Sequence, residues 1–213
     1  MPSIAENVAR VRAALPAEVT LVAVSKTQPA AAVREAYAAG QRDFGENYAQ
    51  EWREKADALA DLAGLRWHFI GSLQTNKVRL LAGRVHAIHT VDRVELAREI
   101  SKRFAGKGAV VRAYLEVNTG GEATKSGCAP GEAPALAEAV RALPGLDLAG
   151  LMAIPPPGDD PRRHFKLLRG LRDRLGLREL SIGMSADWPI AVEEGATVVR
   201  IGTAIFGERP RKG

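Results

Sequence analysis

One lysine ends an apolar run. Residues 19–27 read VTLVAVSKT, a short β-branched stretch in which Lys26 stands where the run gives way to a turn. Such a run reads as a buried strand of parallel type. Burial at its end disfavours the ammonium, so Lys26 could be neutral often enough to attack an aldehyde and form a Schiff base; a strand-end lysine that snorkels to water has the same local sequence. A second group of residues suits an anion. Gly183, Met184 and Ser185 lead into a helix, offering backbone N–H groups and the Ser185 hydroxyl, and Gly202-Thr203 makes another small, donor-rich turn. Tight turns alone would also account for these glycines. Arg200 precedes Gly202 by two residues, so strand alternation sets both on one face, where the guanidinium meets either a ligand or a buried acid.

The elements that must position these residues alternate. A helix over 1–16, capped at Ser3, precedes the first strand. A helix over 29–39 begins at a proline and has Gly40 beyond its end. Strand, then helix, recurs at 41–46 and 47–60, the latter opened by Asn47 as a capping residue; at 66–71 and 74–82; and at 85–92 and 93–105. The second half continues with strand 109–118 and helix 130–143, strand 146–154 and helix 160–175, strand 179–184 and helix 188–194, and a last strand over 198–207. Eight strands alternating with helices predict an α/β fold, a closed (β/α)8 TIM barrel, with the extra N-terminal helix in place of the missing eighth one. A doubly wound open sheet is the alternative, but the G-x-G at 106–108 precedes a strand and lacks the third glycine of a dinucleotide fingerprint. In such a barrel the active face lies at the carboxyl ends of the strands. Lys26, Glu46, Asn47, Gly71, Asn118, Ser185, Gly202 and Thr203 all fall at or near those ends.

Composition narrows the classes. With 213 residues, 46% hydrophobic and 26% charged, the chain suits one domain over 1–213. No apolar run approaches the roughly 20 residues of a membrane span, and the N-terminus lacks a signal peptide's apolar core and cleavage site. A cytoplasmic protein is expected, with no membrane partner. The single cysteine, Cys128, forbids an internal disulfide and cannot build a thiolate metal site. Net charge is +5, yet the basic residues are dispersed apart from the tail ERPRKG at 208–213, and aromatics make up only 5% of the chain. That speaks against nucleic acid and for small anions. His86 and His89, three apart in a strand, point to opposite faces and share no metal. His68 faces either the barrel or the helices and reads as a packed core histidine, and His164 reads as a solvated helix residue. Lys107 lacks the glycine spacing and hydroxyl of a P-loop.

Seven segments, in order, carry a resemblance: AVSKT at 23–27, FGENYAQE at 44–51, WHFIGSLQTNK at 67–77, VNTGGEATKSG at 117–127, GLMAIPP at 150–156, GMSAD at 183–187 and VRIGTAIFG at 199–207. Together they resemble the YggS/PROSC family of pyridoxal phosphate homeostasis proteins over nearly the whole chain. The resemblance implies a fold-type III barrel like the N-terminal domain of alanine racemase, carrying pyridoxal 5′-phosphate (PLP) on a lysine. By motif that lysine is Lys26, among eight in the chain. The resemblance also assigns the phosphate to Ser185, Gly202 and Thr203, places Asn47 and Arg200 near the pyridine ring, and suggests a monomer. Cys128 and Trp188-Pro189 depart from the family pattern as expected here, without touching a cofactor position.

An arginine facing the ring nitrogen would not readily give up a proton, and the ring would then be a poor electron sink. That suits a protein that binds PLP as a Schiff base and takes part in vitamin B6 homeostasis and supply, with transient contacts to apo-PLP enzymes. The alternative is a PLP-dependent amino-acid racemase or decarboxylase. A racemase needs acid/base groups on both substrate faces; the sequence stops at Gly213, just past the barrel, and Tyr37, Tyr48 and Tyr114 fall on helices or mid-strand. No catalytic residue is therefore assigned. Whether Lys125 holds a second cofactor stays open.

Overall fold

Short β-branched and apolar runs, each closed by glycine or a small polar residue, set the strands. The computed structural model describes residues 2–122 and 124–207; the basic tail lies outside them. The strands are β1 (Thr20–Val24), β2 (Asp43–Glu46), β3 (Arg66–Phe69), β4 (Ala87–Val91), β5 (Val111–Glu116), β6 (Leu146–Met152), β7 (Glu179–Ser181) and β8 (Val198–Ile201). Every neighbouring pair is parallel, and β8 returns to β1 through Thr20↔Val198 to Ala23↔Ile201, so the barrel is closed. The open-sheet alternative is thereby excluded.

Helices cover the outside: α1 (Ile4–Ala14), α2 (Ala30–Ala38), α3 (Ala49–Ala58), α4 (Val78–Leu81), α5 (Val94–Ala105), α6 (Ala133–Arg141), α7 (Pro161–Arg174), α8 (Trp188–Glu193) and α9 (Thr203–Phe206). Ser3 and Glu6 make a capping box that starts α1. Among the described residues β8 is followed only by the short α9, and α1 lies across that gap: Asn7 donates to the Ile205 carbonyl at 3.0 Å and Ile4 N–H to Glu35 at 3.1 Å. The helices bury an apolar shell against the sheet, with Trp52, Phe44, Phe104 and Phe165 among its largest fully buried side chains. Inside the barrel a smaller apolar cluster joins Val22, Ala87, Tyr114, Ala149, Met152 and Val198.

Most strands end a residue or two before the sequence predicts, and the last two end earlier still. β7 stops at Ser181 and β8 at Ile201, because β7 pairs with β8 only through Ser181↔Val198. The glycine- and hydroxyl-bearing residues that follow thus belong to turns and to α9. Alternation turns Arg66 and His68 of β3, Arg112, Tyr114 and Glu116 of β5, Glu179 and Ser181 of β7, and Val198 and Arg200 of β8 to the barrel interior. Cys128 is buried in a bridge to Val117; burial, reinforced by Glu132, pushes its thiol up to about 11.

Candidate functional site

The chain leaves β1 at Val24, and Lys26 sits half-buried in the turn two residues on. A buried polar cluster clamps that turn. Ser25 N–H donates to the Gly45 carbonyl at 3.0 Å, its hydroxyl donates to Glu46 Oε1 at 2.7 Å, and its carbonyl accepts from Lys55 Nζ at 2.6 Å. Lys55 is itself buried and donates to Glu46 Oε1 at 2.8 Å and Glu51 Oε1 at 2.6 Å. On the far side of Lys26, Thr27 N–H donates to the same Glu51 oxygen at 2.5 Å. Thr27 has φ +64°, a left-handed conformation that a β-branched residue adopts only when its surroundings hold it there. Glu51 and Lys55 of α3 do the holding. Burial pushes the Glu46 carboxyl upward, with Lys55 and Ser25 pulling against it. None of the three was singled out from sequence as a clamp, although Glu51 and Lys55 stand four apart, the spacing of neighbours on one helix face.

In the same cavity as Lys26, the turn after β7 and the start of α9, which follows the β8 strand paired with β1, bring small donors together. Gly183 has φ +91°, and a Cβ there would meet the Ala191 Cβ at 2.7 Å, so the chain can turn at this point only as glycine. Asp187 Oδ1 accepts from Met184 N–H at 2.6 Å and closes the turn that displays Ser185. The helix expected over 188–194 runs Trp188–Glu193, with Pro189 in its first turn. Gly202 caps α9 and Thr203 opens it; the Ile205 and Phe206 amides turn back to the Gly202 carbonyl, which leaves those of Thr203 and Ala204 with no acceptor within the helix.

Asn47 does not cap α3. That helix starts at Ala49, with Tyr48 at its cap and no side-chain cap bond. Asn47 instead lies one position earlier and lines the cavity, its Oδ1 buried and without a hydrogen-bond partner. Gly71 explains its placement: a Cβ there would come within 2.1 Å of the Asn47 carbonyl oxygen, so the two backbones approach as only glycine permits. Arg200 is buried at 3% exposure, its guanidinium donating to Ser181 O at 2.5 Å, Ser181 Oγ at 2.7 Å and Ala153 O at 3.2 Å. Burial pulls it down to about 10, which leaves it cationic at neutral pH.

The six residues singled out from sequence, Lys26, Asn47, Ser185, Arg200, Gly202 and Thr203, all line one cavity of about 280 Å³ at the carboxyl end of the barrel. Val24, Ile70, Ile154 and Phe206 supply apolar wall. An amine, an unsatisfied amide oxygen, a buried cation and a rim of small donors fit a flat, polar-edged aldehyde that carries a phosphate.

The histidines differ from expectation. His164 is not solvated: it is 2% exposed and meets Asp159 Oδ2 at 3.1 Å, because it shares the buried row of α7 with Phe165, Leu168 and Leu171. His86 and His89 do not diverge. Both rings lie near His68, with centroids 5.4 and 5.2 Å away, since His86 precedes β4 while His89 lies within it and faces inward. His68 is a barrel-interior histidine, 3% exposed.

A closed parallel barrel with a lysine just past β1 and donor-rich turns after β7 and β8 defines the class of the alanine racemase-type barrels. The family model "Alanine racemase, N-terminal domain" matches residues 1–210. The pyridoxal phosphate homeostasis protein of Pseudomonas aeruginosa is 51% identical over 98% of this chain and 97% of its own length. Its counterpart in Escherichia coli K12 is 43% identical over 98% of each. Among solved structures, PipY of Synechococcus elongatus with PLP bound superposes with TM-score 0.88 at 40% identity, covering 96% of this chain and all of that one. A Clostridium difficile alanine racemase shares the fold, with TM-score 0.80 at 14% identity. The chain belongs to the family of the pyridoxal phosphate homeostasis proteins.

Proposed function

We propose that this chain binds PLP in the carboxyl-end cavity, covalently on Lys26, and takes part in intracellular PLP homeostasis and supply. When bound, the cofactor supplies an electrophilic aldehyde and an aromatic ring. Lys26 Nζ is the amine that would hold that aldehyde covalently, with one water released on attachment and taken up again on release. Ser185, Gly202 and Thr203 hold the phosphate, and Asn47 and Arg200 hold the ring. Arg200, cationic and enclosed, gives the ring nitrogen no easily released proton, which favours keeping the cofactor over using it as an electron sink. The one observation that carries this reading is the convergence of all six residues on a single cavity.

The hydroxyls of Tyr37 and Tyr114 bond away from the cavity, to the Ala63 carbonyl at 2.7 Å and to Glu179, which speaks for retention over amino-acid turnover. In this reading 1–213 is one cytoplasmic, monomeric unit that meets apo-PLP enzymes transiently. No helix among the described residues is long and apolar enough to cross a membrane.

The test is an absorbance spectrum of purified protein incubated with PLP, then borohydride reduction and peptide mapping. A visible band lost on reduction, with the label on Lys26, is expected. Absence of any band after incubation overturns the cofactor assignment, and a label on another lysine overturns the assignment to Lys26.

A further inference from the structure

A row of polar side chains crosses the barrel interior beneath Arg200. Ser181 Oγ accepts from the Arg200 guanidinium at 2.7 Å and lies 2.8 Å from His89 Nδ1. His89 Nε2 lies 2.9 Å from His68 Nδ1, and His68 Nε2 lies 3.0 Å from Asp43 Oδ1. Asp43 is closed off by Arg66, whose Nε and a terminal nitrogen reach its two oxygens at 2.7 and 2.6 Å. Ser181 and His89 are fully buried, and His68 and Asp43 nearly so, at 3% and 5% exposure.

The two ends fix the direction of every bond between them. Arginine only donates, so at Ser181 Oγ the lone pair faces Arg200 and the hydroxyl proton remains for His89. His89 Nδ1 is then an acceptor and its Nε2 carries the proton. At the opposite end an ionised carboxylate only accepts, so His68 Nε2 carries a proton and, in the neutral ring, Nδ1 accepts from His89. Starting from either end gives the same tautomers. Burial holds His89 well below the usual imidazole range, and the Arg200 and Arg112 guanidiniums act the same way. Tyr114 stacks on His89 with centroids 4.2 Å apart and keeps the ring from turning.

We propose that Asp43, His68, His89 and Ser181 form a one-directional hydrogen-bond chain that positions the Arg200 guanidinium at the cofactor ring. The proposal rests on the assignment of Arg200 to the ring given above. A carboxylate at the far end polarises each bond in turn and strengthens Ser181 Oγ as an acceptor. Arg200 is thereby anchored by a negative charge at the opposite mouth of the barrel, with no carboxylate in direct contact. These four are positioning residues; none lines the cofactor cavity.

Two-bond proton–nitrogen correlation spectra of the full-length, ¹⁵N-labelled protein test the chain with and without PLP, and only four histidines need assignment. At neutral pH, His68 and His89 should each be protonated at Nε2 and bare at Nδ1. An Nδ1–H tautomer or an imidazolium at either ring overturns the chain.

Ser181→Ala should speed PLP dissociation about tenfold, and Asp43→Asn about threefold, as befits losing or weakening one charge-assisted bond. Both should shift the absorption band of bound PLP while still allowing the reducible adduct on Lys26 at saturating PLP. Asp43→Asn should also move the His89 Nε2 proton resonance, which a merely structural role for Asp43 would leave in place. If Ser181→Ala does not fold, Asp43→Asn and the tautomers decide. Parental dissociation and an unshifted band in the folded variants overturn the positioning role. If the parent forms no reducible adduct, the cofactor reading falls, and the cofactor-free spectrum still decides whether the chain exists.

Discussion

The two mouths of the barrel are built on opposite plans. The amino-end mouth encloses about 340 Å³, the carboxyl-end cavity about 280 Å³, so size does not mark the site. At the amino end two ion pairs lie within the wall, Arg66 with Asp43 and Arg112 with Glu179, beside the exposed Glu18. At the carboxyl end Asn47 Oδ1 has no partner, Arg200 is held by neutral oxygens, and the wall is apolar between small donors. Unsatisfied buried groups mark a site, and the carboxyl end gathers Asn47 Oδ1 and Glu116 Oε2 near Arg200, whereas the amino-end mouth leaves Arg112 Nε.

The change with the largest effect is Lys26→Ala, which should abolish the borohydride-reducible adduct and leave weak, phosphate-dependent binding, read by equilibrium dialysis of PLP. A reducible adduct retained at full occupancy would sink the assignment. Next is the clamp beneath the turn. Lys55→Met leaves Glu46, fully buried, without its cation, and breaking a buried pair by removing one partner costs about 3–5 kcal/mol. Urea unfolding should register a loss of that order, and the variant should hold PLP less tightly because Ser25 and Thr27 are no longer fixed on either side of Lys26. Unaltered stability would mean that the cluster does not hold the turn.

The two ends should also separate by pH. Burial raises the Asp43 carboxyl, but Arg66 and His68 outweigh it and hold the group well below the usual carboxylate range. A lowered native pKa gives stability that is present above the unfolded value near about 4 and is lost as pH falls below it. Glu116, near Arg200 at the carboxyl end, behaves oppositely: burial, then Asp92, push it up to about 7 against the pull of Arg200. A raised native pKa gives stability that is full below about 4.3 and is lost as pH rises through about 7. Glu116→Gln should therefore flatten the decline between pH ~4 and ~7 and raise stability at pH ~8 by on the order of 2 kcal/mol. Its acid limb should stay parental, because the carboxylates held low there, Asp43 among them, are untouched. A parental profile throughout would show that Glu116 ionises freely.

Much of this was legible in the chain. The strand–helix alternation gave the closed barrel, Lys26 stood out at the end of an apolar run, Asn47 at a strand end and Arg200 by its alternation with Gly202, while the places of Asn47 and Arg200 toward a cofactor ring came from the family resemblance. What escaped depends on distance in sequence. Lys55 lies in a polar helix where a glutamate four residues earlier reads as a solvated pair, and only the packing of α3 on the β1 turn buries it. His89 and Ser181 are 92 residues apart, so no local pattern joins them. His164 is a different case: its spacing from Leu168 and Leu171 is that of one helix face, a signal overshadowed by the arginines around it. The strand ends were overextended at β7 and β8 because Ile182 and Ala204–Phe206 stay apolar after the hydrogen-bond ladder has stopped.

The smallest effect belongs to the amino-end mouth away from the Asp43 chain, and it is the sharpest control on the contrast between the two ends. Arg112→Met removes a half-exposed cation whose partner, Glu179, keeps the Tyr114 hydroxyl as a donor. Ion pairs with this much solvent contact contribute about 0–1 kcal/mol. Arg112 and Asp43 both line the amino-end mouth, but only Asp43 is bonded toward Arg200. PLP affinity of Arg112→Met should therefore stay within about twofold of the parent, since a charge with no bonded route to the site is weakened by the effective dielectric between, whereas Asp43→Asn should alter it. If titration with PLP found both variants impaired alike, the effect would come from the charge of the mouth as a whole and not from a bonded path, and the two ends would be less independent than their pairing implies.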